Sequence, residues 1–572
     1  MAGCNQGGRA ATAAQTVAME TYARHSFNYL CEMVDKDAQP YFNIFWTTPA
    51  EAAHDWPDFG DVMSRQFQAA IMARCMTGQQ VGIESRWREK LESYLDPATG
   101  LLFRPKTHYS KHVADSGDQA LTLYALATAF ADQPEPAMER RIHTMVETLL
   151  GQRRSGKRDD LNGFILKSLM AAGRYAPPAA ALELAGMVVS DTFIQKPEFL
   201  PGNTLRQGAH MHSSLRTLLG TADYAIYMRD AVLLNRINEL YRHVRSLGTR
   251  FGFLPEVVGR RGDVISCETC ALMDYIGLGV TLANHGHPEY WGDVERTARN
   301  HLIESQLADG SWLVSDPSQP DTAQFTWRDI DRRMLGGYAG WTSPNHFLAA
   351  QESLKAHWGG PELKNKVRAF QNCCGGSGTH ALFIVWKNAA RFFDDCLYVN
   401  MHLDKLLPQA EIRCLQPYRG ELTIRLKQDC RVHVRVPDFA GAADIHAESD
   451  RGGLGVDVRG NYLDFGRRPA ADLITLTYPL EIREEESTVG NPGFKQYRYR
   501  VTWKGDTVVR MQPLENSDAT GYSDSDQCQV PIYYGAEGPG PLYRRDQMLQ
   551  DISPEPARIH LDRGALDFWF LA

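Results

Sequence analysis

Apolar residues recur at three- and four-residue spacing over the first two thirds of the chain, and at two-residue spacing afterwards. Met63 to Thr77, Gln119 to Phe130, Glu139 to Leu150, Leu161 to Ala172, Ala180 to Val189 and Thr221 to Val244 carry the first pattern, as do Cys270 to Ala283, Tyr290 to Gln306 and Gly378 to Phe393. Gly, Pro, Asp and Asn fill the gaps, so these segments predict helices. Ten or more helices of roughly 12 to 20 residues, with no strand pattern between them, predict stacked antiparallel helix pairs. Past Asp394 the texture changes. Cys396 to Leu403, Glu421 to Lys427, Arg431 to Val436, Leu454 to Arg459 and Leu473 to Tyr478 alternate apolar and polar positions, which predicts an antiparallel β-sandwich. Two further strands flank Lys504-Gly505-Asp506, a turn sequence. The expected domains are therefore 1–395 (helical), 396–490 (β-sandwich) and 491–572 (a small C-terminal β region whose residues suggest no chemistry).

At 572 residues the chain exceeds one compact core, so more than one domain is expected. A net charge of -8 excludes the basic surface that nucleic acid demands. No apolar run reaches a membrane span, and the first fifteen residues lack a signal-peptide core. The 11 scattered cysteines fit a reducing compartment, so a cytoplasmic protein is expected, although a chain trimmed of an export signal would read the same way. A homodimer is left open.

The candidate chemistry is concentrated in two cysteine clusters. In Asn372-Cys373-Cys374-Gly375-Gly376-Ser377-Gly378-Thr379-His380 the adjacent thiols cannot easily bond each other without strain, and so are expected to face a third party together. They are expected just before a helix that Ser377 or Thr379 caps after a glycine-rich turn. There the helix dipole favours thiolate, the form that binds metal or attacks carbon. About a hundred residues upstream, Cys267-Glu268-Thr269-Cys270 supplies a carboxylate and further thiols. Glu268, Cys270, Cys373 and Cys374 would make one carboxylate and three thiolates, suited to tetrahedral Zn2+ with no open position. Cys267 would point away from Glu268 on an extended loop and reads as a buried, inert thiol.

These clusters also carry a likeness. Glu268-Thr269-Cys270-Ala271 followed by Cys373-Cys374 resembles the β-L-arabinofuranosidase family, glycoside hydrolase family 127 and its relatives. Leu397-Tyr398-Val399-Asn400, Tyr418 with Gly420 to Arg425, and Val434-Arg435-Val436-Pro437-Asp438 extend it, as do Gly208-Ala209-His210 and Gly220-Thr221-Ala222-Asp223, over roughly residues 50 to 480. The resemblance implies an α/α toroid followed by a β-sandwich, with both clusters meeting at one end of the ring. It implies that Glu268, Cys270, Cys373 and Cys374 bind zinc, that Cys373 is the nucleophile, and that an upstream Glu is the general acid/base. Glu256 is the nearest matching carboxylate, with Asp263 competing and a solvated loop glutamate the commoner fate of such a residue.

A carbohydrate cavity would draw on further residues. By resemblance His210 would bond sugar hydroxyls; His212, two positions on, would face elsewhere, which argues against a shared metal. Asp58 or Asp61 before a long helix is placed to bond a sugar, Tyr338 and Trp341 to stack on it, and His380 to orient it. Capping by Asp and core packing by aromatic residues are the commoner explanations, and Asp115 and Asp118 read as caps. The expectation is a retaining, β-L-arabinofuranosidase-like glycoside hydrolase acting on a plant- or microbe-derived glycoside. Two alternatives stay open: a non-catalytic carbohydrate-binding protein with structural zinc, and a polysaccharide lyase on a helical toroid. The Cys-Cys-Gly-Gly run departs from the family pattern and makes an altered substrate plausible.

Overall fold

The computed structural model describes residues 14–45, 47–175, 178–195, 198–259, 267–308, 310, 313–338, 370–489, 497–514, 546–564 and 566. Helices dominate its first part: α1 (Met19–Glu32), α2 (Asp61–Thr77), α3 (Ile83–Ser93), α4 (Ser116–Asp132), α5 (Pro136–Arg154), α6 (Phe164–Ala172) and α7 (Pro178–Val189). They continue as α8 (Met211–Met228), α9 (Ala231–Leu247), α10 (Thr269–Asn284), α11 (Tyr290–Thr297), the short α12 (Ile330–Arg333) and α13 (Cys373–Asn388).

Two kinds of helix alternate. α2, α10 and α13 are buried on nearly every face, whereas α5 buries only the stripe Met138, Ile142, Met145, Val146, Leu149 and Leu150. A helix apolar all round belongs inside, and one with a single stripe belongs outside. Packing follows that division. α2 rests on α4, α4 on α6, α6 on α8, α8 on α10, α10 on α13, and α13 returns to α2. The striped helices α3, α5 and α9 lie against α2, α4 and α8 respectively, and the short α11, buried along its whole length, lies against α10.

Where the expected boundaries fail, a local reason is visible. The single segment read from Thr221 to Val244 is two helices, because Arg229 turns left-handed (φ 56°) and Asp230 caps α9 by accepting from Leu233 N at 2.9 Å. Residues Ala390–Phe393, read as the end of a helix, form a strand that pairs with Cys396–Val399.

Sheets account for most of the rest. β1 (Asn43–Phe45), β2 (Glu51–Ala53), β3 (Phe325–Thr326) and β4 (Phe370–Gln371) form a small sheet of order β3-β2-β1-β4 among the helices. Next come β5 (Ala390–Phe393), β6 (Cys396–Val399), β7 (Lys405–Leu406), β8 (Ala410–Cys414), β9 (Glu421–Leu426) and β10 (Cys430–Arg435). They are followed by β11 (His446–Ser449), β12 (Asp457–Arg459), β13 (Tyr462–Arg468) and β14 (Leu473–Thr477). These make two sheets, β12-β13-β10-β6-β5 and β11-β14-β9-β8-β7. Burial alternates along β8, β9 and β14, as period-two side chains require. Val399 and Val432 of one sheet share a core with Ile412, Ile424 and Leu476 of the other. One pairing departs from the antiparallel expectation: β6 and β10 run parallel.

β15 (Ile482–Val489), β16 (Tyr497–Lys504) and β17 (Thr507–Pro513) form a third sheet, with Gly505 (φ 60°) at the expected turn. β15 and β16 pair along their whole length, so the boundary expected at 490/491 falls inside one sheet. Tyr499, Val501, Trp503 and Val508 of this sheet are buried in the helical core rather than in a core of their own. The final described segment, with α14 (Asp546–Leu549), returns to the beginning of the chain, where Thr16 N donates to Glu555 O at 3.0 Å. Its Asp562 sits between Lys387 at 3.0 Å and Lys405 at 2.8 Å. Among the described residues no helix is long and apolar enough to cross a membrane.

Candidate metal centre and surrounding cleft

The site grows from the first turn of α13. Phe370 and Gln371 pair antiparallel with Ile44 and Asn43 of β1, and Asn372 N donates to Phe42 O at 2.9 Å. The Asn372 amide also donates to Tyr41 O, and Gln66 Nε2 of α2 donates to Asn372 O, each at 2.9 Å. This clamp sets where the helix begins. Cys373 and Cys374 are its first residues, not residues before it, and the glycines that follow are helical rather than a turn. A Cβ on Gly376 would lie 2.8 Å from the Arg65 backbone, and one on Gly378 would meet the Tyr338 ring at 2.3 Å. The glycines are therefore there for close approach, α13 against α2 and against Tyr338. Ser377 and Thr379 do not cap: Ser377 accepts from Arg65 and Thr379 donates to Gly375 O.

Glu268 is the N-cap residue of α10, one turn of which carries Cys270 inward. Its carboxylate does not cap; it turns to the cysteine pair. One ligand atom from each of Glu268, Cys270, Cys373 and Cys374 lies within 4.8 Å of the other three, and Cys270 Sγ is 3.3 Å from Cys374 Sγ. Zinc–sulfur bonds of about 2.3 Å imply donor–donor separations of about 3.7 Å in a tetrahedron, so this donor set suits a single thiophilic divalent ion. Phe42 and Val62 pack on the sulfurs. Cys270 and Cys374 are fully buried, while Cys373 keeps 9% and Glu268 8% exposure, so Cys373 is the thiol that faces out. Hydrogen bonds from the Cys270 and Cys374 thiols hold the Cys373 pKa down at about 6, while burial pushes both partners up.

Histidines line the open side. His210, the N-cap residue of α8, meets Glu268 Oε2 through Nε2 at 2.8 Å and Ser213 Oγ through Nδ1 at 2.9 Å. Partial burial works against its charge, yet the Glu268 carboxylate raises its pKa to about 9, with Glu256 contributing. Glu256 is delivered to the same place by backbone pairing: Met211 N donates to Glu256 O at 2.8 Å and Val258 N to Ala209 O at 3.0 Å. His212 faces away, as its spacing predicts, and its Nδ1 meets Asp274 Oδ2 at 2.8 Å.

The other anticipated residues fall differently. Cys267 is buried among core side chains and lies outside the four-ligand group. Asp61 pairs with Arg65 one turn along α2, and Asp58 is buried against His54 Nδ1 at 2.7 Å. Asp115 does cap α4, accepting from Gly117 N at 2.9 Å, but Asp118 instead binds Arg104. Tyr338 is fully buried against Gly378, which leaves no face for a sugar to stack on. His380 lies within α13, not in a turn. It is buried against Tyr124, with a pKa driven well below the usual histidine range by burial and by Arg216, Lys167 and Arg65. Trp341 and Asp263 lie outside the described residues.

Arg65 is the residue that sequence reasoning missed. Its Nη1 is 2.9 Å from Ser377 Oγ and 3.9 Å from Cys270 Sγ, and its Nη2 is 3.4 Å from His212 Nε2. The Asp61/Arg65 spacing of four on a helix was the available signal.

No family model matches the sequence, and no curated protein matches it. Solved structures do. The fold is similar to a GH127 β-L-arabinofuranosidase from Geobacillus stearothermophilus T6, with 12% identity, TM-score 0.54, and coverage of 79% of this chain and 77% of that one. A second GH127 β-arabinofuranosidase aligns at 14% identity and TM-score 0.54 over 86% of this chain and 81% of its own. A further glycoside hydrolase aligns at 12% identity and TM-score 0.53 over 83% and 84%. The resemblance first carried by the cysteine and glutamate motifs thus recurs at the level of the fold.

Proposed function

We propose that the protein is a retaining glycoside hydrolase, β-L-arabinofuranosidase-like, built on an α/α toroid and a β-sandwich, with Cys373 as its nucleophile. The succession of buried helices that returns from α13 to α2 supports the toroid, and the shared core of the two five-stranded sheets supports the sandwich. The observation that carries the chemistry is the asymmetry of the three thiols: two are sealed, and Cys373 alone keeps an exposed edge.

Glu268, Cys270, Cys373 and Cys374 would hold Zn2+, and the ion would supply a filled, rigid shell that keeps the sulfurs deprotonated and aimed. The remaining steps belong to the chain. Cys373 Sγ attacks the anomeric carbon, the C–O bond to the leaving group breaks, and Glu256 gives its proton to that oxygen. Glu256, now a carboxylate, takes a proton from water; the water oxygen attacks the same carbon, and the C–S bond breaks to return the thiolate. Two displacements retain configuration, and this reading requires nucleophile and acid about 5 Å apart, as in retaining carboxylate pairs. His210 steadies Glu268 and offers its exposed edge to a sugar hydroxyl.

The test is a panel of nitrophenyl glycosides offered to the zinc-loaded enzyme, with mass spectrometry of the quenched protein. A sugar mass on the peptide containing Cys373 supports the reading. Full turnover by Cys373→Ser would sink it.

A further inference from the structure

The loop between Leu102 and α4 borders a cleft of about 560 Å3, a volume in the range of small-ligand sites. Trp56, Arg104, Lys106, His108, Tyr109 and Lys111 line it. The Arg104 guanidinium lies 4.1 Å over the Trp56 ring, and Tyr109 stacks parallel on Phe59 at 5.9 Å and on His54 at 5.8 Å. Of these rings Trp56 and Tyr109 line one wall of the cleft, while Phe59 and His54 are buried behind Tyr109 and hold its ring in place.

The charge of that wall runs against the rest of a net acidic chain. Arg104 is taken up by Asp118 at 2.5 Å and by Asp115 at 3.5 Å. Lys106 and Lys111 are exposed, and neither forms an ion pair with any described residue. His108 bonds Gln324 at 3.0 Å and His112 bonds the Arg104 carbonyl at 3.0 Å, so both rings are oriented. Two ammonium groups without counter-charges beside an aromatic wall make a receptor for an anion carried on a ring.

A run of contacts joins the cleft wall to the cysteine cluster through the interior. Gly60, the N-cap of α2, stands so close to α4 that a Cβ would meet Asp118, the partner of Arg104. The next residue, Asp61, binds Arg65, which reaches Cys270.

We infer that the Trp56–Arg104–Lys106–Lys111 cleft binds an acidic glycan, one bearing carboxylate or sulfate groups. This deepens the glycosidase reading by naming the class of glycan, and binding is measured independently of turnover.

The zinc-loaded full-length protein is titrated by calorimetry with three oligosaccharides of equal length: an oligogalacturonate, a sulfated galactan fragment and a neutral arabino-oligosaccharide. At least one acidic ligand is expected to bind, and whichever binds identifies carboxylate or sulfate. Its affinity should fall with added salt, and Lys106→Ala/Lys111→Ala should weaken it by about tenfold while leaving the neutral ligand unchanged. Both lysines are exposed, so an unchanged melting temperature verifies the fold of the variant. Equal binding of neutral and acidic ligands, no binding of either acidic ligand, or an unaffected double variant overturns the inference. Acidic binding with no turnover of any glycoside would overturn the hydrolase reading and uphold this one. Turnover of neutral glycosides with no acidic binding would do the reverse.

Discussion

Arg65 Nη1 lies 3.9 Å from Cys270 Sγ, a buried cation set against a cluster of three thiols and a carboxylate. Four anionic donors around one divalent ion leave negative charge in a site that water barely reaches, and Arg65, itself 7% exposed, is the cation beside it. Arg65→Met is therefore expected to destabilise the fold by about 3–5 kcal/mol, as removal of one partner from a buried charged group does, and to lower zinc retention against a chelator. Arg65→Lys should recover part of the retention. Urea unfolding and metal analysis would check both; a stable, fully metallated Arg65→Met would remove Arg65 from the site.

The cysteines divide by place. Cys373→Ser is expected to abolish turnover, whereas Cys267→Ser, outside the ligand group, should leave most of the activity and full zinc stoichiometry. Parallel turnover and metal measurements on the two variants decide it.

Close helix packing at the cysteines can be tested without touching them. Gly376→Ala introduces a Cβ 2.8 Å from the Arg65 backbone, where no flexible side-chain end can yield. A loss of about 1–3 kcal/mol is expected, as for other overpacked interiors. Denaturant unfolding would measure it, and a neutral result would mean that α2 and α13 are less tightly apposed than 2.8 Å implies.

Acid should open the junction between the helices and the sheets. Glu295 is fully buried, which works against its charge, yet Arg299 at 2.9 Å and Arg435 at 2.6 Å hold its pKa down at about 2. A carboxylate whose folded pKa is depressed contributes stability above its unfolded pKa and loses it as pH falls toward the folded one. For this pair of values the window runs from about pH 4.5 to 2, and the contribution is on the order of 3 kcal/mol. Unfolding free energy followed across that window should fall less steeply in Glu295→Gln than in the parent, from a lower starting value. Identical slopes would contradict the assignment.

Chelation gives the last test. Removal of the ion should lower the melting temperature and make Cys373 the first of the three cluster thiols to react with a disulfide reagent, because it alone of them keeps an exposed edge. Equal reaction rates for Cys373, Cys270 and Cys374 would count against the thiol asymmetry.

Periodicity alone was enough for the two textures of the chain, since a helix buried on one stripe and a strand buried on one face each write their period into the residues. The cysteine and glutamate motifs, and the resemblance they carry, named the four side chains that the structure brings together, Glu268, Cys270, Cys373 and Cys374. What the residues did not reveal was long-range. The start of α13 at Cys373 depends on Phe370 and Gln371 pairing with β1, more than three hundred residues earlier. The same sequence distance hid Arg65, which looks like an ordinary helix-surface charge until α13 is laid against α2. Tyr338 and His380, polar enough to suggest sugar contacts, are interior, Tyr338 because Gly378 lets α13 close onto its ring and His380 because α13 turns it against Tyr124. Local sequence thus determined which elements form and which atoms can bind an ion. Tertiary packing decided which of those side chains meet and which still face water, because both depend on segments brought together only when the interior closes.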